Sequence, residues 1–170
     1  MNLETYIRDV NNFPEKGIVF KDITPMLNDS LAFKYAADQL CKLVNNQTID
    51  KVVGMESRGF FFGTILSDKL DAGFVPVRKK GKLPYDKISE TYALEYGTDT
   101  LEVHIDAIEK GDKVLIHDDV LATGGTAEAV CKLVERLGGE IVQCNFLIEL
   151  SFLQGNNRLK EYSVKSLLTY

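Results

Sequence analysis

The strongest constraint on this chain lies between Val114 and Thr126, where the sequence reads Val-Leu-Ile-His-Asp-Asp-Val-Leu-Ala-Thr-Gly-Gly-Thr. An apolar run leads into two adjacent carboxylates, Asp118 and Asp119, and a Thr-Gly-Gly-Thr turn then opens a helical pattern. Such a run, bounded by turn residues, reads as a strand buried in a parallel sheet covered on both faces. Sheets of that kind bind ligands at the carboxyl ends of their strands. Glycines let the backbone approach a ligand closely and leave N–H groups free at a helix start. Ionised carboxylates accept hydrogen bonds from hydroxyls. The segment therefore specifies a phosphate on the turn and sugar hydroxyls on the acids, as in a phosphorylated ribose. A nucleotide triphosphatase would need a G-x-x-x-x-G-K-[ST] loop, but Gly59 to Gly63 is followed by Thr64, with no lysine. A plain strand, turn and helix with solvated acids explains each residue singly but not the combination.

Around this motif the periodicity alternates. Residues 1–30 read as irregular, with a Phe13-Pro14 turn and a short Ile18-Val19-Phe20 run. Apolar spacing predicts helices over 31–44, 60–70 and 126–137, and strands over 51–55, 74–77, 113–117 and 141–148. That alternation predicts an α/β fold, a central parallel sheet flanked by helices and joined by right-handed crossovers. Lys79 to Thr100 breaks the pattern: it is polar, holds Gly81, Pro84 and Gly97, and has no buried-strand run before Leu101. Segments of this length in compact domains are often lids, and this one reads as a loop or a hairpin. The 170 residues suit a single domain over 1–170.

Composition excludes several classes. With 45% apolar and 26% charged residues the chain is ordinary for a globular protein. It has neither the ~20-residue apolar span of a membrane helix nor a signal-peptide pattern. A net charge of −5 argues against a general nucleic-acid binder, whose footprint is basic. Cys41, Cys131 and Cys144 are widely spaced and read as free thiols in a reducing, cytoplasmic setting. His104 and His117 lack partners at metal-ligand spacing and read as core or surface imidazoles.

Two further segments suit anions. Glu56-Ser57-Arg58-Gly59 falls between a predicted strand and a predicted helix, a second anion-binding position. Arg78-Lys79-Lys80-Gly81-Lys82 places four cations in five residues. In an acidic protein such a patch focuses a polyanionic substrate, although a solvated basic loop is the commoner reason for a charge run.

The Val114–Thr126 stretch resembles the phosphoribosyl pyrophosphate signature of the type I phosphoribosyltransferases. Phe13–Leu27, Gly54–Phe60, Val77–Pro84 and Tyr92–Gly97 narrow the resemblance to the adenine phosphoribosyltransferases, and together they span residue 13 to the C-terminus in the family's order. The resemblance implies an N-terminal hood over about 1–30, a lid over about 79–100 and a homodimer. It implies substrates adenine and phosphoribosyl pyrophosphate, with Mg2+ carried on the pyrophosphate and ribose oxygens and no metal site on the protein. Asp118 and Asp119 would hold the ribose hydroxyls. Because strand alternation sends neighbouring side chains to opposite faces, one acid takes a lesser, water-mediated share. Ala122, Thr123, Gly124, Gly125 and Thr126 would hold the 5-phosphate. Glu56, Ser57 and Arg58 would receive pyrophosphate across a cis Glu56–Ser57 bond, with Arg78 and Lys82, one basic residue reaching in from the neighbouring subunit. Val19, Phe20 and Lys21 would lie on the base, with Leu150 on its other face; Lys21 stands where the family has arginine. Glu95 would accept the base proton or stabilise an oxocarbenium-like centre, with Tyr96 beside it. A 6-oxopurine transferase and a non-catalytic sensor of the same ligands are the rival readings, and Glu95 and the Tyr92–Gly97 motif speak against them.

Overall fold

The computed structural model describes residues 1–93 and 97–170. The chain divides into two compact units, Met1–Gln39 and Leu40–Tyr170.

The first unit is not irregular. A 3-10 helix, Leu3–Tyr6, starts under an Asn2 cap, whose Oδ1 accepts the Glu4 N–H at 3.1 Å. β1 (Arg8–Asn11) and β2 (Val19–Asp22) then form an antiparallel ribbon that sets Val10 opposite Phe20. Asn12 (φ 58°) and Gly17 (φ 94°) reverse the chain between them, and Asn12 Oδ1 accepts the Gly17 N–H at 2.9 Å. The Phe13–Pro14 bond in this turn is cis. Strands of four residues are too short to show a period, which is why periodicity misses this ribbon. α1 (Thr24–Asn28) carries Pro25 in its first turn, where proline's missing N–H is harmless. α2 (Ser30–Leu43) begins under Asp29, whose Oδ1 accepts the Leu31 and Ala32 amides at 3.0 and 2.8 Å.

The second unit holds the sheet. Along the chain come β3 (Lys51–Met55), α3 (Gly59–Lys69), β4 (Gly73–Lys79), β5 (Lys87–Ala93), β6 (Thr98–His104), β7 (Lys113–Leu121), α4 (Gly125–Leu137), β8 (Glu140–Glu149) and β9 (Val164–Thr169). The seven strands are ordered β5-β6-β4-β3-β7-β8-β9. Five of them, β4-β3-β7-β8-β9, run parallel. The expected parallel centre is extended by an antiparallel hairpin, β5 and β6, joined to β4 where Arg78 pairs with Glu102. The polar 79–100 segment thus contributes β5 and the first residues of β6 to the sheet. Its strands escape a search for buried runs because β5 alternates exposed and half-buried residues.

Val114 to His117 are all buried in the middle of this sheet, as expected for a parallel strand covered on both faces. β7 does not stop at 117 as the sequence suggests. β8 keeps pairing with it as far as Leu121 and Glu149, so both acids sit inside the strand. α4 buries Ala127, Val130, Cys131, Leu133 and Val134 at helical spacing against Ile116, Val53 and Phe146. Truncating a fully buried core leucine such as Leu133 costs about 2–5 kcal/mol. The helix ends at Gly138 (φ 92°), whose N–H reaches the carbonyls of Val134 and Glu135. β9 escapes the apolar pattern because Lys165 and Ser166 interrupt it. Among the described residues no helix is long and apolar enough to cross a membrane.

Candidate active site

The acid pair differs in depth. Asp119 is 2% exposed, whereas Asp118 is half-buried and accepts the Asp119 amide at 2.9 Å on Oδ1. α3 starts directly beside them: a Cβ on Gly59 would lie 2.9 Å from Asp118 Oδ1 and 2.9 Å from the His117 carbonyl. Only glycine permits that approach. Burial raises the Asp118 carboxyl well above the usual carboxylate range, and the charge on Asp119 adds to it. Burial also raises Asp119, against the pull of Arg58. Arg58 Nε stands 3.0 Å from Asp119 Oδ2 as an ion pair, yet that oxygen receives no aligned hydrogen bond.

A cavity of about 410 Å3 opens beside the pair, lined by Glu56, Ser57, Arg58, Lys79, Lys82 and both acids. Strand alternation therefore does not send the acids to separate surroundings; depth distinguishes them instead. The Glu56–Ser57 bond is cis, as the resemblance implies. Glu56 gathers the neighbouring cations. Its Oε2 accepts Arg78 Nε at 3.1 Å and the Lys79 amide at 2.8 Å, and its Oε1 accepts from Lys82 Nζ. Burial opposes the Glu56 charge, but these donors hold its carboxyl at about 2. Lys79, which the sequence does not single out, also pairs with Asp99 at 3.2 Å. Its only sequence signal is membership of the basic run.

A second cavity, of about 70 Å3, is lined by Ala122, Thr123, Gly124 and Thr126, and Asp118 borders both cavities. Besides the Asp118 carboxyl, the polar groups here belong to the turn, its backbone and its two threonines. Gly124 caps α4 at φ 81°, and the first amides of a helix have no partner within it. The turn is braced from outside. A Cβ on Gly124 would strike the Gly155 carbonyl, and a Cβ on Gly155 would strike the Ala122 carbonyl. Gly155 lies outside every motif that the sequence singles out.

Val19, Phe20 and Lys21 share β2 of the first unit, where Phe20 packs edge-on to Phe13 at 5.2 Å and Lys21 Nζ meets Asp9 at 2.7 Å. Leu150 follows β8 in the second unit, its N–H bonded to the Leu121 carbonyl at 2.9 Å. Glu95 and Tyr96 lie outside the described residues. His117 is wholly buried, with Nδ1 3.2 Å from Asn145 Oδ1, and burial lowers its pKa to about 4. It is a core imidazole. Cys131 and Cys144 are buried free thiols, Sγ to Sγ 3.7 Å. Among the described residues no three His, Cys, Asp or Glu side chains are grouped to hold a metal.

Residues 25–167 match the model of the phosphoribosyl transferase domain. The chain belongs to the phosphoribosyltransferase family. It is 65% identical over its full length to the whole of the adenine phosphoribosyltransferase of Flavobacterium johnsoniae. It is 56% identical to that of Thermotoga petrophila, again over both full lengths. Among solved structures it resembles the adenine phosphoribosyltransferase of Rhodothermus marinus, with a TM-score of 0.94 and 60% identity over 99% of this chain and 96% of that one. The Saccharomyces cerevisiae enzyme, solved with adenine and an imino-altritol bisphosphate, matches with a TM-score of 0.92 and 42% identity over 98% and 96% of the two chains. The type I phosphoribosyltransferase fold is therefore that of this chain.

Proposed function

We infer that this chain is an adenine phosphoribosyltransferase of purine salvage: it transfers the 5-phosphoribosyl group of phosphoribosyl pyrophosphate to adenine, giving AMP and pyrophosphate. The observation that carries the reading is the pair of cavities sharing Asp118 as a common wall, one lined by a backbone turn and the other bordered by cations. A molecule with one phosphate, a ribose and a diphosphate has that order of groups. The full-length relatives named adenine phosphoribosyltransferase support the same reading.

In this reading a bond forms between the adenine nitrogen and the anomeric carbon while the bond to pyrophosphate breaks. The turn from Ala122 to Thr126 holds the 5-phosphate through amides, hydroxyls and the start of α4, whose dipole adds roughly 0.3–1 kcal/mol. Asp118 and Asp119 fix the ribose hydroxyls, each charge-assisted bond contributing about 1.5–3 kcal/mol. Arg58, Arg78 and Lys82, with Ser57, take the leaving pyrophosphate, one basic residue acting across a homodimer. Glu56 holds two of these cations in place beforehand. Val19, Phe20, Lys21 and Leu150 read the base. Glu95, with Tyr96 beside it, accepts the base proton or stabilises the developing positive charge. Mg2+ would be carried on the pyrophosphate and ribose oxygens beside the Asp118 and Asp119 carboxylates, whose hard oxygens suit it, while Asp119 Oδ2 stays ion-paired with Arg58. That ion would neutralise charge on the departing diphosphate. The compartment is the cytoplasm.

The test is AMP formation from adenine, phosphoribosyl pyrophosphate and Mg2+. Wild type should turn over, and Glu95→Gln should lose about 100- to 10,000-fold in kcat. An equally active Glu95→Gln would remove Glu95 from the mechanism, and no AMP from wild type would overturn the activity.

A further inference from the structure

The hairpin strand β5 is fastened to α4 at both ends. Near the end of the helix, Arg136 Nη1 donates to the Ser89 carbonyl at 2.8 Å and reaches Glu90 Oε2 at 3.3 Å. At the start of the helix the fastening falls on the 5-phosphate turn itself. The Thr126 hydroxyl donates to the Tyr92 hydroxyl at 3.2 Å. A Cβ on Gly125 would lie 3.4 Å from the Tyr92 ring and 3.6 Å from the Ala93 carbonyl. The Tyr92 ring also packs against the apolar core. Phenylalanine would do that packing equally well, so the hydroxyl calls for a separate explanation.

We propose that Tyr92 is a positioning residue of the 5-phosphate site, holding the Thr126 hydroxyl and reversing its hydrogen bond when phosphate arrives. The proposal rests on the reading of the 122–126 turn as that site. Each hydroxyl has one proton to donate and two lone pairs to accept with. In the structure Thr126 gives its proton to Tyr92. A phosphate oxygen is an acceptor, so Thr126 must turn its one proton toward it. Tyr92 then donates its own proton to the vacated Thr126 oxygen, and both hydroxyls stay satisfied. Valine or serine at 126 would break the arrangement differently, the first by removing the hydroxyl and the second by freeing its rotation. Burial raises the Tyr92 pKa, and the Asp99 and Asp118 carboxylates add to the rise against Thr126 and Lys79. The phenol thus keeps its proton to give.

The experiment measures binding of AMP, adenosine and inorganic pyrophosphate by calorimetry to wild type, Tyr92→Phe, Thr126→Val and the double variant. The Thr126–Tyr92 bond is present with and without phosphate, so Tyr92→Phe removes only the fixed orientation of the Thr126 hydroxyl among three staggered positions; it should weaken AMP about threefold and leave adenosine and pyrophosphate unchanged. Thr126→Val should weaken AMP at least as much, and Tyr92→Phe should add nothing in its background. A merely structural tyrosine would weaken all three ligands together, or lower the melting temperature with AMP binding intact. Either result overturns the proposal, as does a full Tyr92→Phe effect surviving in Thr126→Val. If Thr126→Val weakens AMP and Tyr92→Phe does not, this inference falls and the phosphate site stands. If Thr126→Val leaves AMP binding unchanged, both fall.

Discussion

At the Glu56–Gly59 loop the charged side chains are paired with other charged groups of the protein: Arg58 with Asp119, and Arg78 and Lys82 with Glu56. At the 122–126 turn the polar groups are mostly amides and hydroxyls, held by glycines that touch another backbone segment. In the proposed reaction the first loop exchanges partners when pyrophosphate binds or leaves. The second is a preformed cradle that needs no exchange of charge. The contrast fits the proposed assignment of the two ends of the substrate, in which the 5-phosphate stays put through the reaction and the diphosphate is released. Backbone donors hold a fixed geometry, while ion pairs can be traded for others of similar energy.

The contrast breaks most visibly at Gly124. Gly124→Ala puts a Cβ on a left-handed residue and into the Gly155 carbonyl. Strain of about 3 kcal/mol predicts a fall in kcat/KM for phosphoribosyl pyrophosphate of roughly 100-fold or more. Steady-state kinetics checks it, and a loss under threefold would mean that the cradle is adaptable. Next comes Lys82→Ala, which removes one charge-assisted contact. Pyrophosphate affinity should fall about tenfold or more with AMP affinity unchanged, and the loss should shrink at high salt. Equal losses for both ligands in titration calorimetry would end the division of labour between the loops.

Smaller effects come from pH. The Glu56 carboxyl sits at about 2 when folded, against 4.5 ordinarily. Its contribution to stability is therefore complete above about pH 4.5 and is lost as pH falls toward 2. Urea midpoints between pH 5 and 3 should fall more steeply for wild type than for Glu56→Gln. For His117 the buried ring titrates at about 4, against 6.5 ordinarily, so the unfolded chain binds the proton first. That contribution is complete above about 6.5 and is lost as pH falls to 4. His117→Val should flatten the stability profile between pH 6.5 and 4. A slope equal to wild type would show that His117 is not the group titrating there.

One side of this contrast is legible in the sequence and the other is not. Long segments with a clear period, such as α2, β3 and α4, follow from their apolar spacing, and the Asp118–Thr126 motif points to the family to which the chain belongs. The ribbon β1–β2 and the strand β9 do not, because four residues or a polar interruption leave no period to read. The pairing of Glu56 with Arg78 and Lys82, and the seat of Gly155 on the 122–126 turn, join residues distant in sequence. Only the folded chain brings them together. Tyr92 opens one of the segments that resemble the family, yet its hydroxyl has meaning only once β5 lies along α4.

Base choice separates an adenine transferase from its rivals in a single assay. The enzyme is offered adenine, hypoxanthine, guanine and uracil in separate reactions with phosphoribosyl pyrophosphate and Mg2+, and pyrophosphate release is followed. Release is expected with adenine alone, since a buried polar group left unpaired by the wrong base costs about 1–3 kcal/mol and two such errors exclude it. Comparable release with hypoxanthine would contradict the assigned base and place the specificity on Lys21. No release with any base, alongside tight binding of phosphoribosyl pyrophosphate, would make the chain a sensor.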